Sequence, residues 1–306
     1  MSKKMKKNKI DKYINSLHDI KDKLVIITGA NRGLGYETAR IALLKGARVV
    51  LACRSLTRAE EAKKQLIEDT GNKNVVVESF DQSSLKSIHS FSLKIKEKYS
   101  DFYSLVLNAG FLPKQRDVDE YGIAAVYKTN FIGPMILMND MIDFLNESDI
   151  ERRIIMQGSM ASFVFKYNNK DSFIYGKDKP MKLYSLSKLC ISNLFIYYRD
   201  NNSNKNIKYL LCEPGIAATN LFGSVNKVFD SLAGLFFKVF GNTAKVGALS
   251  GCKLLCDTAA NGDYYRPRHL RSAKGLPKKV KYPKKFIFKD IMIDGQEIVK
   301  MYEDNK

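Results

Sequence analysis

Tyr184 and Lys188 stand four residues apart in the stretch Tyr184-Ser185-Leu186-Ser187-Lys188. On a helix that spacing puts a phenol and an ammonium on one face. An isolated tyrosine has a pKa of roughly 10, too high for a base at neutral pH. A neighbouring positive charge favours the phenolate and lowers that value. The pair could then give and take a proton near neutrality, which is general acid–base chemistry. The same spacing occurs on plain surface helices, so its meaning depends on what the chain gathers around it.

A second chemical feature is Thr28 to Gly35, which reads TGANRGLG. The apolar run Leu24-Val25-Ile26-Ile27 leads into it and reads as a buried strand. Tyr36 to Lys45 follows with helical spacing, Leu34, Ala39, Ala42 and Leu43 on one face and Gly46 as the stop. Strand, glycine-rich turn and helix start, in that order, make a phosphate cradle. Glycines let the backbone approach an anion, and the helix N-terminus offers free N–H donors with a partial positive charge. The glycines Gly29, Gly33 and Gly35 form GxxxGxG rather than the usual GxGxxG.

Strands and helices alternate along most of the chain. Strands are expected at Ala47–Cys53, Val75–Phe80, Ser104–Leu107, Arg153–Gln157 and Ile207–Cys212. Helices are expected from about Thr57 to Asp69, opened by a Thr57/Glu60 capping box, and from Leu85 to Tyr99. A helical stretch from about Asp119 to Asn146 holds Asn130 in its middle, and another helix starts near Leu183 after a polar insertion, Lys166–Lys182. Such alternation implies βαβ units and a parallel sheet covered on both faces. The expected fold is α/β, one Rossmann-type doubly wound domain with a central parallel sheet of about seven strands. Residues 1–22 read as a basic polar leader, 23–262 as the domain, and 263–306 as a basic C-terminal extension packed on it. Ligands collect at the carboxyl ends of strands in such sheets. Asp81, Asn108-Ala109-Gly110, Gly158-Ser159 and Glu213-Pro214-Gly215 all sit at such ends.

The net charge of +19 invites a nucleic-acid reading until it is located. Residues 1–12 carry six lysines and one aspartate, and residues 264–289 carry ten Lys/Arg and no acid. The rest of the chain is nearly balanced. The two basic ends could touch anionic lipid or nucleic acid. Solvated lysines in a chain rich in Lys, Asn, Ile and Tyr is the favoured reading, and nucleic acid is disfavoured. No run approaches the roughly 20 apolar residues of a spanning helix, and no apolar signal core follows the N-terminal lysines. A cytoplasmic protein is expected, peripheral membrane contact being the other reading. Cys53, Cys190, Cys212, Cys252 and Cys256 lie in apolar runs and read as reduced buried thiols. His18, His89 and His269 are scattered, with no zinc-like spacing.

In order, TGxxxGxG, Asn108-Ala109-Gly110, Asn130, Gly158-Ser159, Tyr184-x-x-x-Lys188 and Pro214-Gly215 with Thr219 resemble the short-chain dehydrogenase/reductase family over roughly residues 23–260. The resemblance implies hydride transfer between a nicotinamide cofactor and a carbonyl or alcohol. Tyr184 would be general acid in reduction and base in oxidation, and Lys188 would tune it and hold the nicotinamide ribose. Ser159 would donate to the substrate carbonyl, and Asn130 would set a helix kink and a water in the proton relay. Gly29, Asn31, Arg32, Gly33, Leu34 and Gly35 would hold the dinucleotide, with Arg54, Asp81, Asn108, Ala109, Gly110, Tyr184, Lys188, Pro214, Gly215 and Thr219. Asp81 matches the position that contacts adenine, and Thr219 with the backbone after Pro214 would hold the carboxamide.

Cofactor choice rests on the end of the second strand. A carboxylate there accepts ribose hydroxyls in NAD sites, about 20 residues past the glycines. Here the strand ends Cys53-Arg54, and Arg32 lies in the glycine loop. Guanidiniums grip a 2′-phosphate that a carboxylate would repel, so NADP(H) is expected and no metal is implied. The phrases LACRS, YSLSKLCISNLF and EPGIAATNL most resemble the retinol-dehydrogenase-like branch, which implies a bulky, lipophilic small-molecule substrate. Gly158 departs from the common Ser-Ser pair, and Ser159 lies 25 residues before Tyr184, wider than in compact members. Apolar residues at helical spacing from Val225 to Phe240 read as a substrate lid, a core helix or, last, a membrane contact. Homo-oligomerisation stays open. The rival reading is a cofactor-binding regulatory or interaction protein on the same fold; such a protein is expected to have lost Tyr184, Lys188 or Ser159, and none is lost.

Overall fold

The computed structural model describes residues 3–174, 178–216, 242–269 and 272–304. Strand β1 (Leu24–Thr28) is buried at every position. Leu24 and Ile26 enter one core, and Val25 and Ile27 enter the other. Strands that bury both faces read as continuous apolar runs and need helices on both sides. The remaining strands are β2 (Arg48–Cys53), β3 (Val75–Ser79), β4 (Ser104–Leu107), β5 (Arg152–Gln157), β6 (Ile207–Cys212), β7 (Tyr264–His269) and β8 (Lys274–Val280). They lie in the order β3-β2-β1-β4-β5-β6-β7-β8. All neighbouring pairs are parallel except β7 with β8. Strand order reverses between β1 and β4, so the crevice at their carboxyl ends is the place where such sheets take ligands.

One core is covered by α1 (Lys3–Asn15), α2 (Gly33–Leu44), α3 (Leu56–Thr70) and α8 (Ala244–Cys256). The other lies under α4 (Leu85–Lys98), α5 (Ala125–Tyr127), α6 (Gly133–Asn146), α7 (Pro180–Asp200) and α9 (Asp290–Asp304). All five cysteines are free and buried. Among the described residues no helix is long and apolar enough to cross a membrane.

Several local expectations change. The sheet gains an eighth, antiparallel edge strand, because part of the basic run after residue 264 turns back as β8 along β7. Lysines on such an edge discourage pairing with another chain. Helix α3 is capped by Ser55, whose side chain accepts from Arg58 N, not by Thr57. The helix expected from Asp119 begins only at Ala125, since Val118 and Ile123 instead form isolated bridges to Ala124 and Ile174. Helix α7 starts at Pro180 rather than near Leu183, a proline at a position where its missing N–H costs nothing. The polar insertion also buries Phe173, stacked on Tyr127 at 3.7 Å between ring centres.

The first 22 residues are not only a polar leader. Ile14, Leu17 and Ile20 are buried in the α2/α8 core, and Lys245 pairs with Asp11 at 2.6 Å. The Ile20 N–H donates to Lys45 O at 2.8 Å and the Asp22 N–H to Gly46 O at 3.0 Å. The apolar positions recur every three to four residues between lysines, so the leader, read as one short helix at most, packs through its apolar side. Leu17→Ala is expected to lower stability by about 2–5 kcal/mol, the range for opening a cavity at a buried leucine. Denaturant unfolding at unchanged m-value measures this, and a loss under about 0.5 kcal/mol would mean that the segment after α1 does not pack.

Candidate active site

The glycine turn is shaped by what presses on it. Gly29 and Gly33 have φ of 66° and 61°, the left-handed region that side chains avoid. A Cβ on Gly29 would lie 2.9 Å from Ala109 Cα, and one on Gly35 would lie 2.5 Å from Asn108 Nδ2. Helix α2 opens at Gly33 with an extended Arg32 before it, no side-chain cap and no acid in its first turn. Its N–H donors therefore remain available to an anion. Arg32 and Arg54 are exposed beside this turn, at the start of α2 and the end of β2. Arg58, which the motif reading missed, is exposed in the first turn of α3, and its charge reaches Cys53 at the end of β2.

Asn108-Ala109-Gly110 acts first as a strut. Asn108 Nδ2 donates to Thr28 O at 2.8 Å, and Thr28 Oγ1 accepts from the N–H groups of Asn108 and Ala109 at 3.0 and 2.9 Å. Asp81 Oδ1 accepts from Ser83 N and Ser83 Oγ at 2.9 and 2.6 Å, and Ser84, not Asp81, caps α4. Gln82 was not singled out in the sequence, yet its Nε2 donates to Ala109 O and Thr129 O at 3.0 and 2.7 Å. It braces this loop against the helix that carries Asn130.

Asn130 lies inside a π-helical segment, Lys128–Ile132, between α5 and α6. A π-helical segment widens the helix by about one residue in the turn that holds Asn130. The Asn130 amide is fully engaged: Nδ2 donates to Phe111 O and Ser187 Oγ, and Oδ1 accepts from Phe111 N, each at 3.0 Å. A Cβ on Gly110 would lie 3.0 Å from Asn130 Oδ1 and 3.4 Å from Lys188 Nζ, so these three residues converge.

Tyr184 and Lys188 share a face of α7. Lys188 is buried and donates to Gln157 O at 3.0 Å. Burial holds its ammonium down at about 8, with Cys212 pulling weakly the other way. Ser159 follows β5, caps a 3₁₀ turn by accepting from Ala161 N at 3.2 Å, and lies close enough to the Tyr184 hydroxyl to favour its ionised form. With the protein's own groups alone the phenol is not lowered as expected. Burial raises it most, the nearby Ser159 hydroxyl lowers it, and the charge of Glu213 raises it further.

The loop after β6 closes the site. Gly215 has φ of 72°, and a Cβ there would lie 2.4 Å from Ala273 O. Asn242 Nδ2 donates to Pro214 O at 2.8 Å, a brace the sequence reading also missed. Thr219 and the Val225–Phe240 stripe lie outside the described residues.

A family model described as short chain dehydrogenase matches residues 23–228. The chain belongs to this family. It is 31% identical over 237 residues to retinol dehydrogenase 13 of Mus musculus, covering 75% of this chain and 70% of that one. It is 30% identical over 179 residues to the WW domain-containing oxidoreductase of Gallus gallus, covering 56% of this chain and 43% of the relative. The chain thus spans less than half the length of that curated relative. A solved structure of an uncharacterized protein from Mycobacterium paratuberculosis superposes with a TM-score of 0.69 at 22% identity, covering 94% of this chain and 97% of that one. That likeness concerns the fold.

The buried Lys188 has a pH signature. Its value of about 8 lies below the 10.5 of a free lysine. Between the two, the unfolded chain binds the extra proton, so stability rises with pH across this window. From pH 8 to 10 the wild type is expected to gain on the order of 2–3 kcal/mol relative to Lys188→Met. Parallel stability curves for the two proteins would show that Lys188 is not held in a dry site.

Proposed function

We propose that the protein is an NADP(H)-dependent oxidoreductase that moves a hydride between cofactor and a carbonyl or alcohol, with Tyr184 as proton donor and acceptor. The observation that carries the reading is Ser159 close to the Tyr184 hydroxyl and the buried Lys188 one turn along the same helix, at the strand ends next to the glycine turn. The residues fit a dinucleotide: left-handed glycines with no room for a Cβ, and an uncapped, acid-free start of α2. When bound, the dinucleotide supplies the hydride.

The chain's own groups do the rest. The start of α2 holds the pyrophosphate through its N–H donors. Arg32, Arg54 and Arg58 meet the 2′-phosphate, and no carboxylate ends β2 to oppose it. Ser159 Oγ donates to the carbonyl oxygen, and Tyr184 Oη gives that oxygen its proton. A phenol kept protonated by burial suits reduction, in which it starts as the acid. Lys188 lies with Gly110 where the nicotinamide ribose would come, its ammonium held against Gln157 O. Likeness to the retinol dehydrogenases supports a bulky, apolar substrate.

Fluorescence titration is expected to give NADPH at least about tenfold tighter binding than NADH, with the gap narrowed by Arg54→Ala. Equal affinities would remove the phosphate reading. Tyr184→Phe keeps the ring and removes the hydroxyl. It should leave NADPH binding intact and cut single-turnover NADPH oxidation about 10²- to 10⁴-fold with a carbonyl found by screening aldehydes, ketones and quinones. An undiminished rate in that variant would take Tyr184 out of the mechanism.

A further inference from the structure

Residues 278–289 carry six lysines and no acid. Lys278 and Lys279 lie on β8, where lysine protects an open sheet edge. Lys281, Lys284, Lys285 and Lys289 lie beyond that strand, so edge protection does not account for them. All six are exposed. Lys279 pairs with Asp263 at 2.5 Å, but among the described residues no ion pair reaches the other five. A block of like charges ordinarily stays disordered, because its members repel one another. This block is held in place.

The inner side of the segment is pinned to the core. Tyr282 and Phe286 are buried, and their ring centres lie 5.6 and 5.0 Å from that of Phe163. On α7, Asn193 Nδ2 donates to Phe286 O at 3.0 Å, and Asn193 Oδ1 accepts from Phe288 N at 2.8 Å. The backbone is thereby fixed on both sides of Ile287, while the lysines are left in solvent. Two apolar side chains stand with them: Ile287 itself, 37% exposed, and Val164, 64% exposed and next to Phe163. Single exposed apolar residues mean little. Beside an ordered basic strap they complete an interfacial surface, with charge for lipid headgroups and apolar side chains for the layer below.

We propose that this strap, residues 278–289 together with Val164, is a docking surface for a membrane whose lipids are anionic. Charge complementarity names the occupant. Ammoniums without an acid partner gain by approaching a negative surface, about fivefold in affinity for each lysine. Nucleic acid fits less well, because its single-strand readers stack bases on exposed rings, and Tyr282 and Phe286 are buried. Nor does the strap hold an arginine, the side chain that grips a phosphate with paired hydrogen bonds. Phe163 lies four residues after Ser159, so the docked face borders the candidate active site. The docking itself does not depend on the role of Tyr184.

The test is sedimentation of the full chain with vesicles of phosphatidylcholine alone and of phosphatidylcholine mixed with phosphatidylserine. Binding is expected to the mixed vesicles only, and to weaken as salt is raised. The triple variant Lys281→Gln/Lys284→Gln/Lys289→Gln should weaken it about 100-fold without changing the unfolding transition. Should that variant fail to fold, the pair Lys278→Gln/Lys285→Gln is expected to cost about 25-fold. Val164→Ser/Ile287→Ser should weaken binding a few-fold and leave its salt dependence as it is. Equal binding to both kinds of vesicle, or to neither, overturns the proposal. Binding undiminished in the lysine or the apolar variants overturns it too, since another surface would then carry it. So does a DNA duplex that the chain binds more tightly than the mixed vesicles and through the same lysines.

Discussion

The hydrogen bond from the buried Lys188 ammonium to Gln157 O, at 3.0 Å, is the contact on which the site depends. It joins the middle of α7 to the end of β5. A buried ammonium without a partner is strongly unfavourable, so the strand end and the helix cannot drift apart without stranding the charge. The next residue, Gly158, donates to Cys212 O at 2.8 Å and locks β5 to β6, which leaves Ser159 at the lip of the sheet beside Tyr184. One residue before Lys188, Ser187 accepts from Asn130, and Asn130 in turn holds Phe111 by both its N–H and its carbonyl. Helix α7 at Lys188, the π-helical segment and the loop after β4 are thereby one hydrogen-bonded unit.

The anion-binding half is built differently. No charged side chain is buried there to hold it; close backbone approach does the work. Gly29 and Gly35 are pressed by Ala109 and Asn108, and Asn108 spends its amide on Thr28 O and Gly29 O rather than on the crevice. Residues grouped by motif as cofactor contacts are thus partly scaffolding for the turn that makes the contact. The guanidiniums of Arg32, Arg54 and Arg58 stay exposed at the rim. In the proposed function, binding and proton transfer would meet at Gly110, where a Cβ would lie 3.4 Å from Lys188 Nζ.

What could be read from the chain follows the range of the interactions. The doubly wound sheet was legible because buried parallel strands such as Leu24–Thr28 are uninterrupted apolar runs, and helices such as α4 and α7 are long and periodic. The order of the glycine turn, Asn130, Ser159, Tyr184 and Lys188 was legible for the same local reason. The strand pairing of β8 was not, since a run such as Lys274–Val280 announces charge, and its partner β7 is set by tertiary contact. That the leader packs was hidden by its lysines, although Ile14 in α1 and Leu17 just after it are core residues. The bracing roles of Gln82 and Asn242 depend on partners about 30 to 50 residues away, Ala109 and Thr129 for the one and Pro214 for the other. No spacing rule reveals such pairs. The expected lowering of Tyr184 relied on a bound nicotinamide cation beside Lys188; without it burial raises the phenol, and that burial is not visible in YxxxK.

The central claim, that this site moves a hydride to a carbonyl, is tested most directly by isotope transfer. The protein is given NADPH deuterated at the transferring carbon, together with aldehydes, ketones and quinones, and the products are analysed by mass spectrometry. The account predicts deuterium on the carbinol carbon of the product, retained in water, with a slower single turnover than for the unlabelled cofactor. Tight NADPH binding with no deuterium passed to any carbonyl would contradict it and would favour a protein that binds the cofactor without using it.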